Sequence, residues 1–154
     1  MRRLTYLFPI VPAVAVILWL ATRFRVVLGA FLIGHALIHL GYLSREPPQK
    51  PGAPPWPFHL DRSLALSGLG LGPGAVRAVG IVLVILTVGG FGAAGVAVLA
   101  DQGWWAGPAV TAAIASAVLL SLYFDPMLVL GLAIDAFVLS IAAFGWPTTA
   151  PVGP

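Results

Sequence analysis

Long apolar runs, separated by short polar, proline-containing or glycine-containing stretches, dominate the pattern of residues along the chain. A helix that rises about 1.5 Å per residue needs roughly 20 residues to cross a hydrocarbon core of about 30 Å. Five runs have about this length: Thr5–Ala21, Val26–Leu43, Ala78–Ala100, Pro108–Phe124 and Met127–Trp146. The pattern predicts an all-α, polytopic membrane helix bundle with five transmembrane helices, with four as the alternative count.

Two of the predicted boundaries depend on local chemistry as well as on length. The stretch from Thr5 to Leu43 is too long for one crossing, and Arg23 and Arg25 fall in its middle, where charge is expensive in lipid. A tight hairpin is therefore predicted there. Asp125-Pro126 divides the last two runs, because proline lacks an N–H and disfavours helix at the residue before it.

Composition places the chain in lipid rather than in water. Of its 154 residues, 60% are hydrophobic and only 8% are charged, whereas a soluble domain carries about 25% charged residues. The net charge of +3 does not indicate nucleic-acid binding, because the few basic residues flank apolar runs. The chain has no cysteine, which excludes disulfides and thiolate chemistry. The run after Met1-Arg2-Arg3 has no small-residue cleavage site, so we expect a retained span.

The basic residues also predict an orientation, because cytoplasmic connections are enriched in Lys and Arg. With five spans and an inside N-terminus, the inner segments hold Arg2, Arg3, Arg45, Lys50, Arg62 and Arg77. The outer segments hold Arg23 and Arg25. The sequence thus predicts a plasma (inner) membrane protein with a cytoplasmic N-terminus.

Residues 1–154 are predicted to form a single integral membrane domain, with residues 44–76 as its one substantial inner loop. Prolines make the first half of this loop extended and stiff, and glycines at its end make a flexible approach to the next span. Between them, Asp61 is expected to cap a short helix in the membrane interface.

Small residues recur in three of the runs and predict close helix packing, since they let backbones approach in lipid. The fourth run carries Ala109, Ala113, Ala117 and Ser121 at intervals of four, and the third is rich in glycine between Gly89 and Gly95. In the fifth, Gly131, Asp135 and Ala142 share a face that Val138 interrupts. Ordinary packing within the bundle explains these faces, and a seam for a homo-oligomer or a membrane partner subunit is the alternative.

Three residues stand out inside the predicted spans: His35, His39 and Asp135. Counting 1.5 Å per residue from the ends of their runs places His35 and Asp135 near the same depth, close to the midplane. His39 shares a helical face with His35, and Tyr42 continues that face. An unpaired ionisable group at this depth costs at least a few kcal/mol. Asp135 is therefore expected to face the interior, with His35, His39 and Tyr42 forming a ligand or proton site with it, or a structural lock.

The same residues could instead bind a metal or a haem. The spacing His-x-x-x-His puts two imidazoles on one side of a helix, and Asp135 could complete a divalent-metal site. Ala36 stands where zinc proteases carry a catalytic glutamate, so no catalytic residue is predicted. The three histidines of the chain are too few for a di-iron centre. No cofactor is assigned.

His59, Asp61 and Arg62 form a second polar cluster, predicted at the inner surface. It is either a solvated loop with an interfacial helix or a contact for a headgroup or substrate, and with His39 and Tyr42 it could continue as one polar path.

Three functions remain open from sequence. They are a small transport or ligand-binding protein, a non-enzymatic accessory subunit of a membrane complex, and a membrane metal- or haem-binding oxidoreductase.

Overall fold

The computed structural model of the chain describes residues 10–44, 46–48, 51–52 and 55–145, with side-chain surroundings from residue 23 onward. Its regular structure is entirely helical within these ranges. The α-helices are α1 (Ile10–His39), α2 (Leu64–Gly68), α3 (Pro73–Leu99), α4 (Ala106–Leu122) and α5 (Val129–Ala143). Single 3₁₀ turns at Leu40–Leu43, Gly103–Trp105 and Pro126–Leu128 extend the ends of α1, α4 and α5.

The hairpin predicted around Arg23 and Arg25 is wrong, because α1 passes through this segment without a break. The segment contains no proline or glycine to end the helix, and arginine is a good helix former. The charge of Arg25 is met by Asp101, which follows α3 and forms an ion pair with it. The start of the first predicted run, before Ile10, lies outside the described residues.

Four helical stretches in the described part of the chain are long and apolar enough to cross a membrane. They are Arg23–Leu43, Pro73–Leu99, Gly103–Leu122 and Pro126–Ala143. The predicted fold class, an all-α membrane helix bundle, is thus confirmed with the alternative count of four. Arg23 and Arg25 lie at the beginning of the first span instead of between two spans. The inside N-terminus was predicted from a count of basic residues that assumed the hairpin. Without the hairpin, that count no longer supports the prediction.

The predicted break at Asp125-Pro126 is confirmed. Helix α4 ends at Leu122 and α5 begins at Val129. Between them, Asp125 has an extended backbone and its carboxylate accepts a hydrogen bond of 2.8 Å from the N–H of Met127. Such a cap satisfies one of the amide groups that the start of a helix leaves without a partner.

Helix α3 is the centre of the bundle, with α1 packed on one side and α4 on the other, and α5 packs on α4. Gly29 and Gly95 make the α1–α3 crossing possible: a Cβ built on Gly95 would lie 2.6 Å from Ile33 Cγ1 and 2.8 Å from the Gly29 carbonyl oxygen. At the α3–α4 crossing, a Cβ on Gly90 would lie 2.8 Å from Ala112 Cβ. Small residues therefore set the spacing of α3 from both neighbours.

The small-residue face predicted on α4 is correct only in part. Ala109 and Ala113 are fully buried, but Ser121 is exposed, and its hydroxyl bonds to the Ala117 carbonyl of its own helix. The buried face instead turns through Ala112 and Ser116. A helix has 3.6 residues per turn, so a strict interval of four drifts away from the contact line.

The connection between α1 and α3 forms one end of the bundle, here called the loop end, together with the α4–α5 turn. Ser63, not Asp61 as predicted, caps the short helix α2: its hydroxyl accepts from Leu66 N at 3.2 Å and donates to the Leu122 carbonyl at 2.6 Å. Tyr123 donates to the Val76 carbonyl. Burial raises the pKa of Tyr123 above its ordinary value, which keeps the hydroxyl a donor. Helix α3 begins at Pro73, slightly before the predicted end of the loop.

The glycine crossing of α1 and α3 yields a first prediction. Gly95→Ala places a methyl group against the Gly29 backbone, which cannot move aside without separating the helices, so we expect a loss of roughly 1–3 kcal/mol in the free energy of unfolding. Gly92→Ala on the same helix meets nothing within 4 Å and serves as the control. Unfolding in mixed micelles measures both. Equal stability of the two variants would show that the glycine contact does not set the crossing.

Candidate functional site

His35 on α1 and Asp135 on α5 meet inside the bundle. The distance from His35 Nε2 to Asp135 Oδ1 is 3.5 Å, and the side chains are 4% and 1% exposed. The helical count that placed both residues at one depth therefore agrees with their positions in the fold. Neither ring nitrogen of His35 and neither carboxylate oxygen of Asp135 has a hydrogen-bond partner among the described residues. The pair is thus buried without the hydrogen bonds that usually compensate burial of polar atoms.

His39 is held differently, because both of its ring nitrogens are engaged. Nδ1 lies 3.0 Å from the His35 carbonyl oxygen, and Nε2 lies 2.9 Å from Ser116 Oγ on α4. A carbonyl can only accept, so Nδ1 carries a proton; in the neutral ring, Nε2 then accepts from the Ser116 hydroxyl. His39 is consequently fixed in one tautomer and joins α1 to α4.

Aromatic rings fix the position of the two imidazoles. The rings of His35 and His39 meet edge to face at 4.8 Å, and Phe91 of α3 meets His35 edge to face at 5.0 Å. Phe91 is fully buried. Thr87, one helical turn before Phe91, is also fully buried, and its hydroxyl has no partner within the described part of the chain. The polar site is therefore enclosed by α3 and opens away from it.

The opening is a cleft of about 160 Å³ between α1 and α5, here called the membrane cleft. Its α1 wall carries His35, His39 and Tyr42, and its α5 wall is apolar, with Leu130, Gly131 and Ile134. Within the described residues, α1 and α5 share no extensive interface. Ile38 and Leu130 on opposite walls are 57% and 68% exposed, so the cleft opens sideways, toward lipid, between apolar rims.

The residues predicted at the inner surface lie at the loop end around a second, more polar cleft of about 400 Å³, here called the surface cleft. His59, Asp61 and Arg62 line it together with Arg77 of α3. Tyr42 and Phe58 line both clefts, and their rings meet edge to face at 5.1 Å. These two rings therefore separate the surface cluster from the membrane site.

A metal site gains no support from this arrangement. His39 already uses both ring nitrogens, so of the two imidazoles on this face only His35 keeps its nitrogens without partners. Among the described residues, no group of three or more His, Cys, Asp or Glu side chains could hold a metal ion.

Sequence reasoning missed two residues of the site, Ser116 and Phe91. Ser116 is the single hydroxyl on the buried alanine face of α4, seven residues after Ala109, and this spacing could have indicated it. Phe91 sits within the glycine-rich part of α3, where a large buried side chain among small ones marks a point of contact. The partners of both residues, however, come from another helix.

Comparison with known proteins adds no relative: no family model matches the chain, and neither a curated protein nor a solved structure matches it. The class that fold and site define is a helical membrane bundle with a buried His–Asp pair beside a cleft that opens sideways.

The contact between His39 and Ser116 yields the second prediction. Ser116→Ala leaves the buried Nε2 of His39 without a partner and should cost about 1 kcal/mol of unfolding free energy, the scale of hydrogen bonds between membrane helices. Ser140→Ala is the control, because its exposed hydroxyl bonds only within α5. The ¹⁵N resonances of the His39 ring should also change in the first variant alone. An unchanged His39 spectrum in Ser116→Ala would contradict the assigned hydrogen bond.

Proposed function

We propose that this chain is a small ligand-binding membrane protein, transport included, in which His35 and Asp135 form a proton-carrying pair at the ligand site. One observation carries the proposal: the pair is buried in the bundle, lacks hydrogen-bond partners, and has its imidazole on the wall of the membrane cleft.

The pair carries one proton in either of two arrangements. Imidazolium with carboxylate is net neutral, and so is neutral imidazole with carboxylic acid. Gain or loss of a proton would leave a net charge in a site of low dielectric, which is costly. A ligand that hydrogen-bonds His35 from the cleft favours one arrangement over the other, which links its binding to the position of the proton.

A purely structural role explains the pair less well than it explains His39. The ring of His39 already joins two helices through a hydrogen bond of 2.9 Å, and both of its ring nitrogens have partners. The atoms of His35 and Asp135 approach only to 3.5 Å and make no hydrogen bond among the described residues. Partnerless buried groups of this kind are typical of functional sites.

The proposed location is the plasma (inner) membrane. The sequence between α1 and α3 contains Arg45, Lys50 and Arg62, and Arg77 follows at the start of α3, whereas Arg2, Arg3, Arg23 and Arg25 precede or begin the first span. With four basic residues on each side of this span, the excess of Lys and Arg that sets orientation is absent, and the proposal assigns no orientation.

Docking to a partner subunit has less support. The small residues that could have formed a docking seam are largely used inside the chain, where Gly29, Gly90 and Gly95 contact neighbouring helices. No observation therefore favours an accessory role over the ligand-binding role.

Substitution of Asp135 separates a site residue from a packing residue. Asp135→Asn keeps the shape and a hydrogen-bonding group, so we expect unfolding free energy within about 1 kcal/mol of the parent. Asp135→Leu adds volume at a position that is 1% exposed and removes the partner of His35, and should cost roughly 1–3 kcal/mol. Unfolding in mixed micelles compares the two, and equal stabilities would count against a buried, paired Asp135.

The shared proton is tested by ¹⁵N NMR of the histidine rings in lipid nanodiscs. In the parent protein, His35 Nε2 should report a proton shared with Asp135. In Asp135→Asn, its resonance should move to that of an ordinary neutral nitrogen. The ring of His39, fixed by Ser116, is the internal control and should keep its resonances. Identical His35 spectra in both proteins would refute a proton-carrying pair.

A further inference from the structure

The membrane cleft also indicates what kind of ligand it takes, an inference that rests on the proposed function. We propose that the cleft binds a lipid-soluble molecule with one ring-sized group and a hydroxyl, phenol-like in chemistry, which enters sideways between α1 and α5. Size, hydrogen bonding and the route of access each support this choice.

Size limits the ligand to about one ring. The cleft measures about 160 Å³, and an apolar cavity of about 150 Å³ is sufficient to hold a benzene molecule. Gly131 and Leu120, which both line the cleft, are in close contact, since a Cβ on Gly131 would lie 2.7 Å from the Leu120 side chain. A fused-ring or branched ligand would have to leave most of its surface outside.

Hydrogen bonding selects a hydroxyl. His35 Nδ1 has no partner among the described residues. In both arrangements of the pair the proton in question lies between Nε2 and Asp135, so Nδ1 carries a proton and donates. A ligand hydroxyl accepts this hydrogen bond and keeps its own proton to donate. The Tyr42 hydroxyl, buried and also without a partner, lines the same cleft and can accept that proton, whereas a ligand without an oxygen satisfies neither group.

Access is from lipid. The rims are apolar and exposed at Ile38 and Leu130, whereas the edge-to-face rings of Tyr42 and Phe58 close the cleft toward the loop end. A molecule dissolved in the bilayer reaches His35 without crossing these rings, whereas an ion or a sugar from water would have to displace them. The ligand is therefore expected to be lipophilic apart from its hydroxyl.

The test uses the full chain in nanodiscs and two fluorinated probes of nearly equal size, 4-fluorophenol and fluorobenzene, observed by ¹⁹F NMR. Empty nanodiscs correct for partitioning into lipid. We expect 4-fluorophenol to bind at least tenfold more tightly than fluorobenzene, a difference of about 1.4 kcal/mol. Equal affinities, or no binding of either probe, would overturn the ligand class. Either result would mean that the hydroxyl gives no advantage over purely apolar occupants of the cleft, such as a lipid chain.

Variants locate the binding site. Ile134→Trp fills the cleft from its α5 wall and should weaken 4-fluorophenol binding at least tenfold. Ala136→Trp puts the same side chain on an exposed position of α5 away from the cleft and should leave the affinity unchanged. Ile38→Trp provides a second way to fill the cleft, from its α1 wall, if Ile134→Trp folds poorly. Unchanged binding in both filled variants would place the probe elsewhere and refute the proposal.

The two proposals fail separately. If His35 shares its proton with Asp135 but 4-fluorophenol shows no preference, only the ligand class is wrong. If Ile134→Trp weakens 4-fluorophenol binding as expected but Asp135→Asn leaves the His35 resonances unchanged, the cleft is a ligand site and the proton-carrying pair is wrong.

Discussion

The absence of water inside a bilayer is the constraint on which this structure depends. Lipid offers no hydrogen bonds, so the polar side chains within the apolar helices must find partners within the protein or remain at a cost. His39 finds Ser116 and the His35 carbonyl. His35 and Asp135 find only each other, at a distance too long for a good hydrogen bond. The difference between a satisfied and an unsatisfied histidine, one helical turn apart, distinguishes a structural contact from a candidate site.

Close packing around α3 makes this difference possible. Glycines at the crossings with α1 and α4 bring those backbones close enough for the ring of His39 to reach α4 and for Phe91 to support both imidazoles. Helix α5 is outside this tight group. Only 17% of its apolar stretch is buried, against 39% to 44% for the other three spans. The looser helix forms one wall of the cleft, and the tightly packed group forms the polar wall.

The sequence predicted those features that depend on length and local chemistry. The last four apolar runs predicted all four spans closely, the proline at position 126 predicted the last break, and helical rise placed His35 and Asp135 at one depth. The sequence-based prediction failed where the structure depends on a contact with a residue that is distant in the sequence. The hairpin at Arg23–Arg25 was predicted because charge there looked costly, and only the fold supplies Asp101 as the partner of Arg25. Ser116 and Phe91 were missed for the same reason, and α2 is capped by Ser63 rather than by Asp61.

The order in which the helices attach also sets an order of assembly. During synthesis the N-terminal part of a chain is available first, so α1, α3 and α4 can form their glycine crossings, with His39 already bound to Ser116, before α5 has been made. Until α5 is synthesised and packs on α4, His35 lacks the carboxylate of Asp135. Completion of the fold and completion of the buried pair are thus the same event, and a chain truncated before Asp135 would retain its crossings but expose an imidazole to lipid.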